Sequence, residues 1–321
     1  MDAIKAVYSN MAPAFVYKPW IIDADIKGFF DNVDHRTLDQ IIQDRITDQK
    51  TRNLIWQFLK AGIMENGKYR HSELGTPQGG IVSPLLANVY LNEMDQWIKQ
   101  WTDLTRAEYQ TRLKEGKANW SYVRYADDFL IQTDGSRETA EDMLQRIRDF
   151  VEEELKLELS EKKTELVHAE DGIEFLGYYL EAKESTGGAK KEIPKEAERG
   201  IREKVRKATN GNVDVSVRAK MKALNATLRG WANYYKYATN AHRVFNDLDN
   251  YTWHKLTHWL AQKYKCSRNA VVDRVDNPDT LEINGTGRVQ TEELAESGRY
   301  GEIHREGNPY LGNEEINREE F

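Results

Sequence analysis

Between Ser121 and Thr133 the chain passes through two short apolar stretches, SYVRY at 121–125 and FLIQT at 129–133, with only Ala126-Asp127-Asp128 between them. Strand-like runs that close together fold back on each other as a tight hairpin, and the residues left for its tip are acidic. A second run, WIIDADIKGFFD at 20–31, is an apolar strand candidate in which Asp25 follows the last of the strand-forming residues. HRTLDQIIQDRI comes next, with Leu38, Ile41, Ile42 and Ile46 on one helical face, so a strand feeds a helix. Asp25 and Asp127 are 102 residues apart in sequence, and a sheet shared by the first strand and the hairpin would bring them together with Asp128.

Unpaired carboxylates gathered at strand ends are costly unless a hard cation compensates them. Mg²⁺ suits such a place, because it takes one or two carboxylates and completes its shell with water and phosphate oxygens. Two such ions about 3.5–4 Å apart activate an attacking hydroxyl and stabilise the leaving oxygen of an in-line phosphoryl displacement. The plainer reading of any single Asp here is a solvated turn residue, and composition alone does not decide between the two.

The rest of the chain fills in an α+β organisation. A helix is predicted at 51–61 with Ile55, Phe58 and Leu59 together, then a hairpin over ENGKYRHSELG with Asn66-Gly67 at its turn. GTPQGG at 75–80 breaks the chain. From Ile81 to Trp101 the residues Leu85, Leu86, Val89, Tyr90, Met94, Trp97 and Trp101 recur at three and four, predicting a long buried helix. Residues 102–118 read as a polar connection. An amphipathic helix follows at 138–157, then a strand pair around KTELVHA and IEFLGYYL, giving one interleaved α+β layer. KESTGGAKKEIP marks a boundary at about 183–194, and only helical periodicity runs from there to Ala261. The segment after Cys266, rich in acid, Gly and Asn, predicts a loosely folded or partner-dependent tail.

Charge is segregated along this order. The formal net charge of -7 is unlike that of a phosphate-binding protein, yet residues 195–265 carry 15 Lys/Arg against 6 Asp/Glu. Residues 266–321 carry 6 against 13, and residues 1–194 carry 25 against 34. A basic block between two acidic ones favours contact with a polyanion, although a solvated face is the ordinary meaning of a charge run. Cys266 is the single cysteine, which excludes an internal disulfide and a cysteine-pair zinc knuckle, and leaves oxygen ligands for any catalytic metal. No window approaches the roughly twenty apolar residues of a membrane span, and MDAIKAVYSNMAP lacks a basic leader and an apolar signal run, so a cytoplasmic protein is expected.

Tyr125-Ala126-Asp127-Asp128 resembles the YADD box of reverse transcriptases from the group II intron and retron side of that family. It is joined, in the family's order, by DIKGFFDNVDH at 25–35, GTPQGGIVSPLLANVYLNEMD at 75–95, LSEKKTELVH at 159–168 and EFLGYYL at 174–180. LRGWANYYKYA at 228–238 further resembles the maturase, or X, domain of group II intron proteins. The resemblance implies a polymerase right-hand palm of antiparallel sheet and helices, followed by an all-α thumb and maturase region. It divides the chain into partial fingers and palm at 1–182, a helical thumb/maturase domain at 195–265, and an acidic tail at 266–321.

By the same resemblance Asp25 and Asp127 are the principal ligands of two Mg²⁺ ions, Asp128 is a third acid, and Ile26 is a backbone-carbonyl ligand. Phe30 matches the steric gate against a ribonucleotide 2′-hydroxyl, with a core aromatic as the alternative. Gln78 and Gly79 match the stretch that touches the incoming nucleotide. Lys163 matches the lysine that helps protonate pyrophosphate, with a surface lysine as the alternative. Arg202, Lys204, Arg206, Lys207, Arg218, Lys220, Lys222 and Arg229 are the expected RNA contacts, whereas Trp231, Tyr234 and Tyr235 share an i, i+3, i+4 stripe that fits a helical core better than base stacking. The implied partners are intron RNA, an RNA template with a DNA primer and dNTPs, without a membrane; a homodimer is left open. Relatives have an entire fingers subdomain before the position of Asp25, and IHREGNPYLGNEEINREEF resembles the segment preceding an endonuclease, so incomplete fingers and no endonuclease activity are expected. The alternative function is a non-catalytic RNA-binding maturase or gene fragment, with the palm kept as scaffold.

Overall fold

A computed structural model describes residues 2–12, 17–60, 63–65, 68–70, 75, 82–183, 185, 187–211 and 213–276. The chain divides into two units, one of residues 1–173 and 180–189, the other of 174–179 and 190–321.

In the first unit, α1 (Asp2–Met11) precedes β1 (Trp20–Asp25), then come α2 (Phe29–Asn32), α3 (His35–Gln43) and α4 (Gln49–Lys60). A small hairpin of β2 (Ile63–Glu65) and β3 (Lys68–Arg70) pairs Glu65 with Lys68. Asn66 and Gly67 themselves lie outside the described residues. After α5 (Ser83–Thr102) and α6 (Arg106–Lys114), the strands β4 (Trp120–Tyr125) and β5 (Asp128–Thr133) form the predicted hairpin, followed by α7 (Arg137–Glu153) and β6 (Glu165–His168). The main sheet has the order β4-β5-β1-β6, and each adjacent pair of strands described is antiparallel.

Alternation along β1 decides what each face does. Ile22, Ala24 and Ile26, with Phe129 and Ile131 of β5, enter one core with Leu38 and Ile42 of α3, Leu86, Tyr90 and Met94 of α5, and Met143, Ile147 and Val151 of α7. Tyr90 is fully buried and its hydroxyl donates to the Leu155 carbonyl at 2.6 Å, tying α5 to the end of α7. Ile21, Asp23 and Asp25 point to the opposite face.

Several expectations need correction. Residues 102–118 contain a helix, α6, which has no buried residue; a reciprocal capping box between Thr105 and Glu108 starts it. Leu85 and Phe58 belong to helices but face solvent, because the core takes the stripes through Leu86 and Leu59. The KTELVHA strand does not pair with IEFLGYYL. It becomes β6 beside β1, while β7 (Ile173–Phe175), β8 (Tyr178–Lys183) and β9 (Gly188–Glu192) make a separate sheet in that order. The polar stretch at 183–194 therefore contains a strand, and a single α+β layer does not describe the chain.

The second unit contains α8 (Lys195–Thr209), α9 (Val217–Tyr235), α10 (Ala241–Lys263) and α11 (Arg268–Asp276). Ile201 and Val205 of α8, Val217, Met221, Leu224 and Leu228 of α9, Leu256 and Trp259 of α10, and Val271 of α11 share one core. Trp259 has no exposed surface, and burying a side chain of that size contributes on the order of 3 kcal/mol. α11 begins within the segment expected to be a loose tail; residues 277–321 lie outside the described residues.

Candidate active site

The antiparallel register of β1 with β5 sets Asp25 directly opposite Asp128. On the other side of β1, Asp23 stands opposite Glu165 of β6. Opposite residues of antiparallel strands share a face, so Asp128, Asp25, Asp23 and Glu165 form one acidic row on the face turned from the main core. The hairpin pairs Tyr125 with Asp128 and leaves Ala126 and Asp127 as a two-residue turn. Asp128 thus opens β5 rather than sitting in the turn. Ala126 has φ +57°, a left-handed conformation rare for a residue with a Cβ, and it presents Asp127 beside the facing pair.

Lys163 approaches both oxygens of Asp25, at 3.2 Å to Oδ1 and 3.1 Å to Oδ2. Its position follows from a turn in which the Ser160 N–H donates to the Asp25 carbonyl at 2.8 Å and the Lys163 N–H donates to the Ser160 carbonyl at 3.1 Å. The lysine side chain is 68% exposed while its ammonium rests on Asp25, so it is a surface lysine that reaches the acid row. Hydrogen bonding to Asp25 and the charges of Asp25, Asp128 and Asp127 hold its ammonium above the ordinary lysine range. Asp128 is pushed up from the usual carboxylate value by burial and by Asp127 and Asp25, with Lys163 opposing.

The backbone of Ile26 is oriented by its neighbours. Ser160 donates to the Asp25 carbonyl and Lys27 donates to the Glu158 carbonyl, so residues 25 and 27 spend their bonds on the 158–160 segment. Because backbone groups alternate sides along an extended chain, the Ile26 carbonyl turns to the other edge, the side of the β4–β5 turn. Among the described residues, no three His, Cys, Asp or Glu side chains form a ready-made metal cage. The donors present are two facing carboxylates, a third at the adjacent turn, and a carbonyl. All are hard oxygens, a set that fits an ion which brings its own water and takes phosphate for the rest of its shell.

Phe29 is the core aromatic of the FF pair; Phe30 packs against it with ring centroids 5.3 Å apart and remains half-buried. Gly75 lies against the backbone of Phe30, where a Cβ would come within 2.6 Å of the Phe30 carbonyl oxygen, and its φ of +83° also requires glycine. Gln78 and Gly79 lie outside the described residues.

Sequence reasoning missed Asp23 and Glu165. Burial, then Glu165, Asp128 and Asp25, push the Asp23 carboxyl up to about 7. The alternation of WIIDAD already put Asp23 on the face of Asp25, and that signal was available.

The basic block is less uniform than its count. Lys220 is corrected outright: it is buried, its ammonium donates to the Ala208 carbonyl at 2.7 Å, and it lies 4.7 Å from the Trp259 ring centre. Arg206 makes two 2.7 Å bonds to Glu203, Lys207 lies 4.0 Å from the same carboxylate, and Arg202 sits over Tyr251. Lys204, Arg218, Lys222 and Arg229 are exposed, and the last three recur at four and seven along one face of α9. Tyr235 is buried, Trp231 is half-buried, and the Tyr234 and Tyr235 hydroxyls donate to the Leu176 and Gly177 carbonyls at 2.5 and 3.0 Å. Tyr235 and Trp231 thus follow the expected core stripe, whereas Tyr234 departs from it: its hydroxyl is tied to Leu176 but the side chain is 44% exposed.

Comparison with known proteins adds the following. Residues 15–180 match the family described as reverse transcriptase (RNA-dependent DNA polymerase), and residues 199–275 match the group II intron maturase-specific domain. The chain is 35% identical over 212 residues to the group II intron-encoded protein LtrA of Lactococcus lactis, covering 52% of this chain and 35% of that protein. It is 35% identical over 188 residues to protein YkfC of Escherichia coli, covering 53% of this chain and 49% of that one. The chain thus spans about a third to a half of these relatives. Among solved structures, a telomerase from Candida albicans in complex with a telomeric RNA fragment is 13% identical with a TM-score of 0.44, over 88% of this chain and 53% of that chain, a distance at which it carries no argument.

Proposed function

We propose, because this chain belongs to the reverse transcriptase (RNA-dependent DNA polymerase) family, that it extends a DNA primer with dNTPs on an RNA template and that its helical unit binds intron RNA as a maturase. The observation that supports the catalytic half is the β1–β5 register, with Asp25 opposite Asp128 and Asp127 at the adjoining turn. Reverse transcriptases use divalent metal ions, and we take Mg²⁺ held by Asp25, Asp127, Asp128 and the Ile26 carbonyl as the form used here. When bound, a pair of such ions would supply activation of the primer hydroxyl and charge for the departing pyrophosphate.

The chain's own groups do the rest. Lys163, whose ammonium donates to Asp25, would serve as the proton donor to the departing pyrophosphate. Phe30, half-buried on Phe29, is the gate against a ribose 2′-hydroxyl, and Gln78 and Gly79 contact the incoming nucleotide. Lys204, Arg218, Lys222 and Arg229, with Arg202, Arg206 and Lys207 as paired or stacked neighbours, are the contacts to RNA phosphates. The same reading divides the chain into palm, thumb/maturase and tail as the motifs imply, and gives it a cytoplasmic setting. No helix among the described residues is long and apolar enough to cross a membrane.

Primer extension on an RNA template, comparing the chain with Asp127→Ala, tests the reading. Extension by the parent and none by the variant is expected. Equal signals from both would leave RNA binding and remove the polymerase.

A further inference from the structure

The turn that presents Asp127 is built on an unfavourable residue. A two-residue hairpin turn with positive φ favours Asn or Gly, yet Ala126 holds φ +57°. A methyl-bearing residue there costs on the order of 1 kcal/mol, so something else must hold the turn.

Arg124 is placed to do so. It lies on β4, one residue before Tyr125, and its Nη1 donates to the Ala126 carbonyl at 2.8 Å. The same nitrogen donates to Asn88 Oδ1 of α5 at 3.0 Å. The rest of the guanidinium grips Asp95, also of α5, with Nε to Oδ1 at 2.8 Å and Nη2 to Oδ2 at 2.5 Å. Tyr122 adds its hydroxyl to Asp95 Oδ1 at 2.8 Å. The ion pair is well shielded, with the Arg124 side chain 12% and the Asp95 side chain 26% exposed. A planar, bidentate pair on a long buried helix is a rigid anchor, and a guanidinium offers donors in fixed directions for a third and fourth partner.

We propose that Arg124, locked to α5 by Asp95, is a positioning residue that clamps the Ala126 carbonyl and thereby fixes the angle at which Asp127 meets the Asp25–Asp128 pair. It touches no substrate and acts through the turn. The inference rests on the polymerase reading for its consequence in turnover, but the clamp on the turn stands independently.

The test compares the full chain with Arg124→Lys, which keeps the charge opposite Asp95 but cannot reach α5 and the turn at once, and with Asp95→Asn, which loosens the anchor from the other side. Turnover in primer extension is expected to fall by up to about 10²-fold, with KM for dNTP within twofold. Hydrogen–deuterium exchange of the peptide spanning 124–129 is expected to quicken by more than that of the β1 peptide in the same variant, over and above the fall in melting temperature that opening a shielded ion pair brings. Should Arg124→Lys fail to fold, Asp95→Asn carries the same expectations. Parent-like turnover in a folded variant would overturn the proposal, and so would slower turnover with unchanged exchange at the turn. If the parent extends primers no better than Asp127→Ala, the polymerase reading has failed, and exchange alone then decides whether Arg124 holds the turn.

Discussion

The acid row of the first unit and the basic helices of the second both stand out in the sequence as like charges in excess, yet they are held in opposite ways. Around Asp25, the fold keeps four carboxylates on one face and, among the described residues, sets Lys163 against Asp25. Along α8 and α9, the cations are in part already consumed: Lys220 by a carbonyl and a ring, Arg206 by Glu203, Arg202 by Tyr251. Like charge that a protein concentrates at a cost to itself marks chemistry, whereas a surplus counted over a segment includes residues doing structural work.

The difference is largest in catalysis. Asp25→Ala is expected to lower primer extension by at least about 10³-fold, the loss of several kcal/mol of metal-centred stabilisation. Lys222→Ala should leave single-turnover extension at saturating template nearly unchanged. Comparable losses in the two variants would erase the distinction.

Within the basic block, the contrast is between stability and affinity. Lys220→Ala is expected to lower unfolding free energy by about 2 kcal/mol in denaturant titrations, through the lost bond to Ala208 and the lost contact with Trp259. Its RNA binding should keep the parent's salt dependence. A stable Lys220→Ala that binds RNA with a shallower salt slope would restore it as a phosphate contact.

Asp23 sharpens the comparison through pH. Its folded carboxyl titrates near 7 against an ordinary 3.8, so between those values the native state holds a proton the unfolded chain has lost, and stability falls as pH rises. Asp23→Asn removes that dependence. In thermal melts with chelator present, its gain over the parent should grow from about pH 4 to about pH 7 and level off above; a gain that is constant with pH would show that burial and the neighbouring acids do not act on Asp23 as described. The smallest effect belongs to the exposed stripe of α9. Lys222→Ala is expected to weaken RNA binding a few-fold and to lower the slope of log K against log salt by about one.

What was legible before folding follows from range. The β4–β5 hairpin and α3, α5 and α7 are local patterns, and they lie where periodicity put them; from 195 to 261 periodicity showed helix without dividing it into α8, α9 and α10. The order β5-β1-β6 joins segments more than a hundred residues apart, and no local pattern encodes which strand takes which edge; hence the pairing of KTELVHA was misjudged. α6 has no apolar face to detect, and only Thr105 with Glu108 announced it. β9, GAKKE, lacks the alternation of a half-buried strand. Lys220 was readable: it continues the stripe Val217, Met221, Leu224, and a long aliphatic stem belongs there as readily as on a surface. The acids of the row were found by type, but Asp23 was overlooked although it lies in phase with Asp25.

The most direct measurement is a Mn²⁺ titration of the full chain followed by electron paramagnetic resonance, for the parent, Asp25→Asn and Asp128→Asn. If the facing carboxylates of β1 and β5 hold the ion together, each substitution weakens binding at least about tenfold. Parent-like binding in either variant would mean that the two acids meet across the strands without serving a common ion.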